Sequence, residues 1–228
     1  MIKLEICAQS IESALIAEDA AADRIELCAA LELGGVTPSP ALIRETLRRL
    51  TIPTCILVRP RAGNFVYSKA EFEIIKNDII FCRDNGAAAV VVGVLTDENE
   101  LHIDRMSELV ALAGSMQIVC HRAFDRTPNV SKSLDALIKM GFHRVLTSGG
   151  KENVVEGQAN LKQLVVQAAD QITILAGGGV TSAKVAALLE ATNLTEVHAS
   201  AKHFLEKKAC WETDAVEVKK LIEQLKIE

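Results

Sequence analysis

The sequence predicts one α/β domain, a closed (β/α)₈ barrel spanning residues 1–228. Three observations predict it. Short apolar runs and amphipathic stretches alternate eight times along the chain, the pattern of parallel strands joined by crossover helices. No linker or low-complexity run interrupts that alternation. The residues are 49% hydrophobic but only 4% aromatic, which suits helices packed on a sheet through Ala, Val, Ile and Leu. An open, doubly wound sheet shows the same alternation, and the count of eight favours closure.

The elements follow in order. Ile2–Cys7 alternates as a first strand, with Lys3, Glu5 and Cys7 on one face and Leu4 and Ile6 on the other. A helix begins near Ser10. Arg24–Cys28 repeats the alternation, setting Glu26 and Cys28 opposite Ile25 and Leu27. After the loop at Gly34–Gly35, Ser39–Pro40 supplies an N-cap and a first-turn proline for the second helix. Strand three, Thr54–Val58, runs into Arg59–Pro60–Arg61, and Ser68 with Glu71 forms a capping box before the third helix. Ala88–Val92 is the continuous apolar run of a strand covered on its outer face. A helix through Met106 and Leu109 precedes strand five, Gln117–His121, and Gly141 closes the fifth helix. Strands six, seven and eight are Arg144–Thr147, Ile172–Ala176 and Glu196–Ala199. A helix begins at Thr181 or Ser182, and the last uses Val218, Leu221 and Leu225.

Several function classes are excluded at this level. The formal charge is −5 with a pI near 5.6, and no basic run offers a footprint for phosphate backbones, so nucleic acid is not an expected partner. The longest apolar run, Ala87 to Leu95, is too short to span a bilayer. Glu5 interrupts the place where a secretory signal needs its apolar core. Six cysteines lack paired spacing, which predicts reduced thiols in the cytoplasm rather than a disulfide framework.

In such barrels the working face lies at the C-terminal ends of the strands. Those ends gather Glu5, Cys7, Glu26, Cys28, Arg59, Arg61, His121, Arg122, Asp125, Ser148, His198 and Ser200. Glu5 and Glu26 sit on neighbouring strands, where each raises the other's proton affinity unless an arginine neutralises them. An Arg–Glu network closing the barrel top is the alternative. Ser148–Gly149–Gly150 and Gly177–Gly178–Gly179, the latter with Ser200 and Lys202 nearby, have the layout of anion sites. Glycine-rich turns also arise for steric reasons alone. Cys7 and Cys28 end adjacent strands at equivalent alternation, and two thiolates suit Cu(I). On spacing alone, buried cysteines also read as small hydrophobes.

Leu4–Glu5–Ile6–Cys7, Arg24–Ile25–Glu26–Leu27–Cys28, Gly34–Gly35–Val36–Thr37–Pro38–Ser39, Arg59–Pro60–Arg61, Cys120–His121–Arg122–Ala123–Phe124–Asp125, Thr147–Ser148–Gly149–Gly150 and Val197–His198–Ala199–Ser200 resemble the CutC family of copper homeostasis proteins. The segment after the eighth strand looks shorter than in some members, leaving that side of the site more open. The resemblance implies a TIM-type barrel, a cytoplasmic location, homo-oligomerisation, and a copper role in which Cys7 and Cys28 match positions associated with Cu(I). The strand tips keep a second class open, an enzyme acting on a small anionic substrate, phosphorylated ones included. There Arg59, Arg61 or Arg122 would hold the anion, Glu5, Glu26 or His121 would move protons, and Asp125 would orient a base. A non-catalytic scaffold is the third.

Overall fold

A computed structural model describes residues 2–226. Eight strands close a parallel barrel in chain order: β1 Lys3–Ala8, β2 Arg24–Leu27, β3 Thr54–Leu57, β4 Ala89–Val92, β5 Gln117–Cys120, β6 Arg144–Thr147, β7 Thr173–Gly177 and β8 Glu196–Ala199. Between them run α1 Ile11–Asp19, α2 Pro40–Arg49, α3 Lys69–Asp84, α4 Ile103–Ala113, α5 Val130–Met140, α6 Gln158–Ala168 and α7 Ser182–Thr192. Pairing of β1 with β8 sets Glu5 beside His198, and pairing of β1 with β2 sets Glu5 beside Arg24 and Cys7 beside Glu26. The barrel is therefore closed at a seam of polar side chains.

Local chemistry starts and stops the helices as the sequence indicates. The Ser39 hydroxyl accepts the Leu42 amide ahead of Pro40, and Ser68 and Glu71 cap each other reciprocally. Asn129 caps α5 and Gly141 ends it at φ 86°, the left-handed conformation that costs glycine least. One element departs from expectation. Lys202–Leu205 and Cys210–Thr213 form an antiparallel hairpin, β9 and β10, before α8 Ala215–Leu225. Its turn carries no glycine, and Ala209 takes the left-handed position at φ 49°. The hairpin follows the eighth strand and is tied back to the segment after β1, where Gln9 Nε2 donates to the Trp211 carbonyl.

Strand alternation separates two buried sets. Leu4, Ile6, Ile25, Leu27, Ile56 and Val90 face the helices in the main core, each such side chain contributing about 1.5–3 kcal/mol by leaving water. Inside the barrel, Cys7, Cys28, Cys55, Leu57, Val91 and Val119 form a second cluster. The interior is asymmetric: the β3–β5 side is apolar, whereas Arg24, Glu5, Glu26 and Glu196 are buried on the β8–β1–β2 side.

Candidate functional site

The polar side is organised from its base upward. Arg24 donates through Nε to Glu5 and through Nη2 to Glu196, at 2.5 and 2.6 Å. Glu5 Oε1 lies 2.8 Å from His198 Nδ1. Burial alone would raise the Glu5 carboxyl, but the His198 hydrogen bond and the Arg24 charge outweigh it and hold the group at about 2. Burial would likewise lower His198, and its hydrogen bond to Glu5 with the charges of Glu26 and Glu5 raises it instead. One layer nearer the mouth, Glu26 has no such relief. Burial and the Glu5 charge push it up to about 7 against His198 and Arg24, and its Oε2 is buried without a hydrogen-bond partner.

Cys7 and Cys28 meet beside that carboxylate, with their sulfurs 3.5 Å apart. The Cys7 thiol is raised well above its ordinary value by the Cys28 hydrogen bond, by burial and by the charges of Cys28, Glu26 and Glu5. All six cysteines are free thiols. Two buried sulfurs in contact fit Cu(I), a soft ion, and uptake of a metal there would release a proton. Above them opens a cavity of about 680 Å³, lined in part by Cys7, His198, Arg122, Ser200 and Lys202.

Across the mouth the predicted residues form a different kind of structure. Asp125 accepts from Arg122 Nε at 2.8 Å, from the Thr147 hydroxyl, and from the Ser148 and Gly150 amides at 3.0 Å each. Arg122 Nη2 also donates to Ser148 Oγ and the Glu152 carbonyl. The Ser148–Gly150 loop thus already holds an anion, the chain's own Asp125. Glu217 does the same at the start of α7, accepting from the Ser182 amide at 2.8 Å and its hydroxyl at 2.9 Å. The glycines make room for neighbouring side chains and, at Gly149, for backbone. A Cβ on Gly177 would stand 2.5 Å from Leu146 Cδ1 and 3.2 Å from His198 Cβ, one on Gly178 would crowd Arg122, and one on Gly149 would strike the Gly157 carbonyl. Gly179 lines the cavity at φ 82°.

Arg59, Arg61 and His121 lie apart from the cavity above Cys7, and Arg61 Nε donates to Glu71 at 2.5 Å. Arg59 is buried, donating to the Gly35 and Gly63 carbonyls at 2.9 and 2.7 Å and lying over the Phe65 ring, so it clamps two loops together. Its edge faces a second cavity of about 1150 Å³ that Arg122 and Asp125 also line. His121 is 5% exposed and packs its ring against Phe65. Burial and the Arg59 charge hold it at about 3, and Nδ1 accepts the Ala123 amide. The imidazole lines neither cavity, and its Nε2 is buried without a hydrogen-bond partner.

Comparison with known proteins places the chain in a family. The profile of the CutC family matches residues 2–203. The chain belongs to the CutC family. A family protein CutC from Photorhabdus laumondii is 45% identical over 205 residues, covering 90% of this chain and 82% of that protein. The human copper homeostasis protein cutC homolog is 38% identical over 199 residues, covering 87% and 73%. Among solved structures, CutC from Streptococcus agalactiae aligns with a TM-score of 0.83 at 33% identity, covering 88% of this chain and 99% of that one. Phosphoribosylanthranilate isomerase from Thermotoga maritima aligns at 0.62 with 15% identity, a likeness of fold alone.

The CutC match ends within β9, so β10, the N-cap Asp214 and α8 lie beyond it, and Asp214 and Glu217 of α8 line the cavity. Within the matched region, the residue that sequence reasoning left without a role is His198. One ligand atom from each of Cys7, Glu26 and His198 lies within 4.8 Å of the others. The signal was parity: all three share the inward face of β8, β1 and β2, but β8 becomes a neighbour of β1 only on closure.

Proposed function

We propose that this member of the CutC family handles copper by holding Cu(I) between the thiols of Cys7 and Cys28. The observation that carries the reading is the 3.5 Å approach of two buried sulfurs at the barrel mouth. A thiol pair selects Cu(I) by softness, and the copper homeostasis name of the human relative agrees. Six free thiols suit the reducing cytoplasm. Anaerobic Cu(I) titration against a competing chelator tests it. Wild-type protein is expected to take one Cu(I) per chain, and the Cys7→Ser/Cys28→Ser variant to lose it. Equal affinity in both proteins overturns the reading.

A second reading, an enzyme acting on a small anionic substrate, is favoured by the cavity that Arg122, Lys202 and His198 line together. Arg122 or Lys202 would hold the anion, and Glu26 or His198 would exchange a proton. A thermal-shift screen of carboxylated and phosphorylated metabolites decides it. Stabilisation that disappears in Arg122→Gln supports the reading, and no stabilisation by any of them removes it.

A further inference from the structure

We propose that Cys7, Glu26 and His198 form a site for a borderline divalent cation of the Zn²⁺ class, with one coordination position facing the cavity above them. The site shares Cys7 with the thiol pair but does not rest on the copper reading.

Four observations carry the inference. The three ligand atoms come from three consecutive strands of the closed barrel, β8, β1 and β2, and lie within 4.8 Å of one another. Glu26 is 5% exposed and its Oε2 has no partner. An unpaired buried carboxylate is a costly arrangement, and a cation beside it removes the cost. His198 is already oriented from behind: Nδ1 is engaged by Glu5, Glu5 by Arg24, and Arg24 by Glu196. That leaves Nε2 as the ligand nitrogen and reproduces the carboxylate–histidine support that metal-binding imidazoles carry. Finally, Cys7 and His198 both line the cavity of about 680 Å³, so a ligand or water can reach the fourth position, as in zinc sites that keep three protein ligands.

The donor set selects the ion. One sulfur, one imidazole nitrogen and one carboxylate oxygen are a mixture that Zn²⁺ accepts, whereas Mg²⁺ and Ca²⁺ require oxygen and Cu(I) prefers sulfur. Cys28 supplies only the second thiol contact, so the two metal sites use different partners of Cys7.

The difference makes the two ideas separable in one set of variants. Purified reduced protein would be titrated with Zn²⁺ against a chromophoric chelator and with Co²⁺ followed by absorption, where a sulfur-to-cobalt band reports Cys7 directly. Wild-type protein should bind one ion per chain with that band. Glu26→Gln and His198→Ala should each lower Zn²⁺ affinity at least tenfold, and Cys7→Ser should also abolish the band. Cys28→Ser should keep Zn²⁺ and the band while losing Cu(I), and Glu26→Gln should keep Cu(I). Glu26→Gln preserves shape and removes a buried charge, so it remains decisive where His198→Ala fails to fold. Wild-type Zn²⁺ affinity in Glu26→Gln, or loss of Zn²⁺ in Cys28→Ser equal to that in Cys7→Ser, overturns the proposal. Loss of Cu(I) binding alone, with the Zn²⁺ pattern intact, would count against the copper reading only.

Discussion

The two sides of the barrel mouth use similar residues to opposite ends. At the β5–β6 side, Asp125, Arg122 and Ser148 are joined so that the carboxylate meets two amides, a hydroxyl and a guanidinium. At the β8–β1–β2 side, Glu26 keeps an unpartnered oxygen and a proton affinity raised to about 7, beside two thiols and an imidazole. A carboxylate that is satisfied internally holds loops in place and has nothing left for a cation. One that is unsaturated pays a standing cost in stability and has capacity for chemistry.

The largest test of that contrast is Asp125→Ala. It leaves the Thr147 hydroxyl and the Ser148 and Gly150 amides without their acceptor and removes one of several partners of Arg122, and at about 1–3 kcal/mol for each buried group left unsatisfied it is expected to have the largest cost in stability. Urea denaturation measures it, and wild-type stability would break the contrast. Any folded Asp125→Ala protein should still bind metal, since the loops it anchors do not supply the ligands.

Next in size is the pH dependence of Glu26→Gln without metal. Glu26 keeps its proton to about 7 in the fold against 4.5 ordinarily. Its contribution is therefore complete below 4.5 and is lost as the pH rises through about 7, by up to about 1.4 kcal/mol per pH unit within that window. Wild-type stability minus that of Glu26→Gln should fall across the window and then flatten. A difference that stays constant would mean that Glu26 has a partner in solution. His121 titrates with the other sign: its contribution is present above 6.5 and lost as the pH falls through about 3, so comparison at each pH with Glu26→Gln keeps the two apart. The smallest effect is expected from Gly177→Ala, whose Cβ would press on Leu146 and His198. Overpacking of this kind costs about 1–3 kcal/mol, and calorimetry of the variant would show it. An unchanged melting temperature would mean that the His198 wall yields freely.

Much of the fold was legible because each strand and helix announces itself locally, and strand bounds fall within one residue of expectation, as at Arg144–Thr147 and Glu196–Ala199. The β9–β10 hairpin was not, because Lys202–Leu205 shows no apolar alternation and its turn relies on Ala209 rather than glycine. The site was legible in part. Cys7, Glu26 and Cys28 share the inward parity of adjacent strands, which the sequence displays. Two other readings needed the third dimension. A glycine loop has the same sequence whether its amides face a substrate or Asp125, and His121 at a strand end has the same sequence whether it faces water or Phe65.

The guanidinium of Arg24 also bears on how the barrel assembles. It joins Glu5, near the start of the chain, to Glu196, which lies 172 positions beyond Arg24 itself. Until the eighth strand docks, Arg24 has half of its pairing, and the order of synthesis makes that strand the last to arrive. Were β8 to dock one residue out of register, Val197 would turn inward and Glu196 outward, leaving the guanidinium facing an aliphatic side chain. The seam is in this sense a proofreading device: it rewards a single alignment of the final strand, and the barrel that results is one whose beginning has recognised its end.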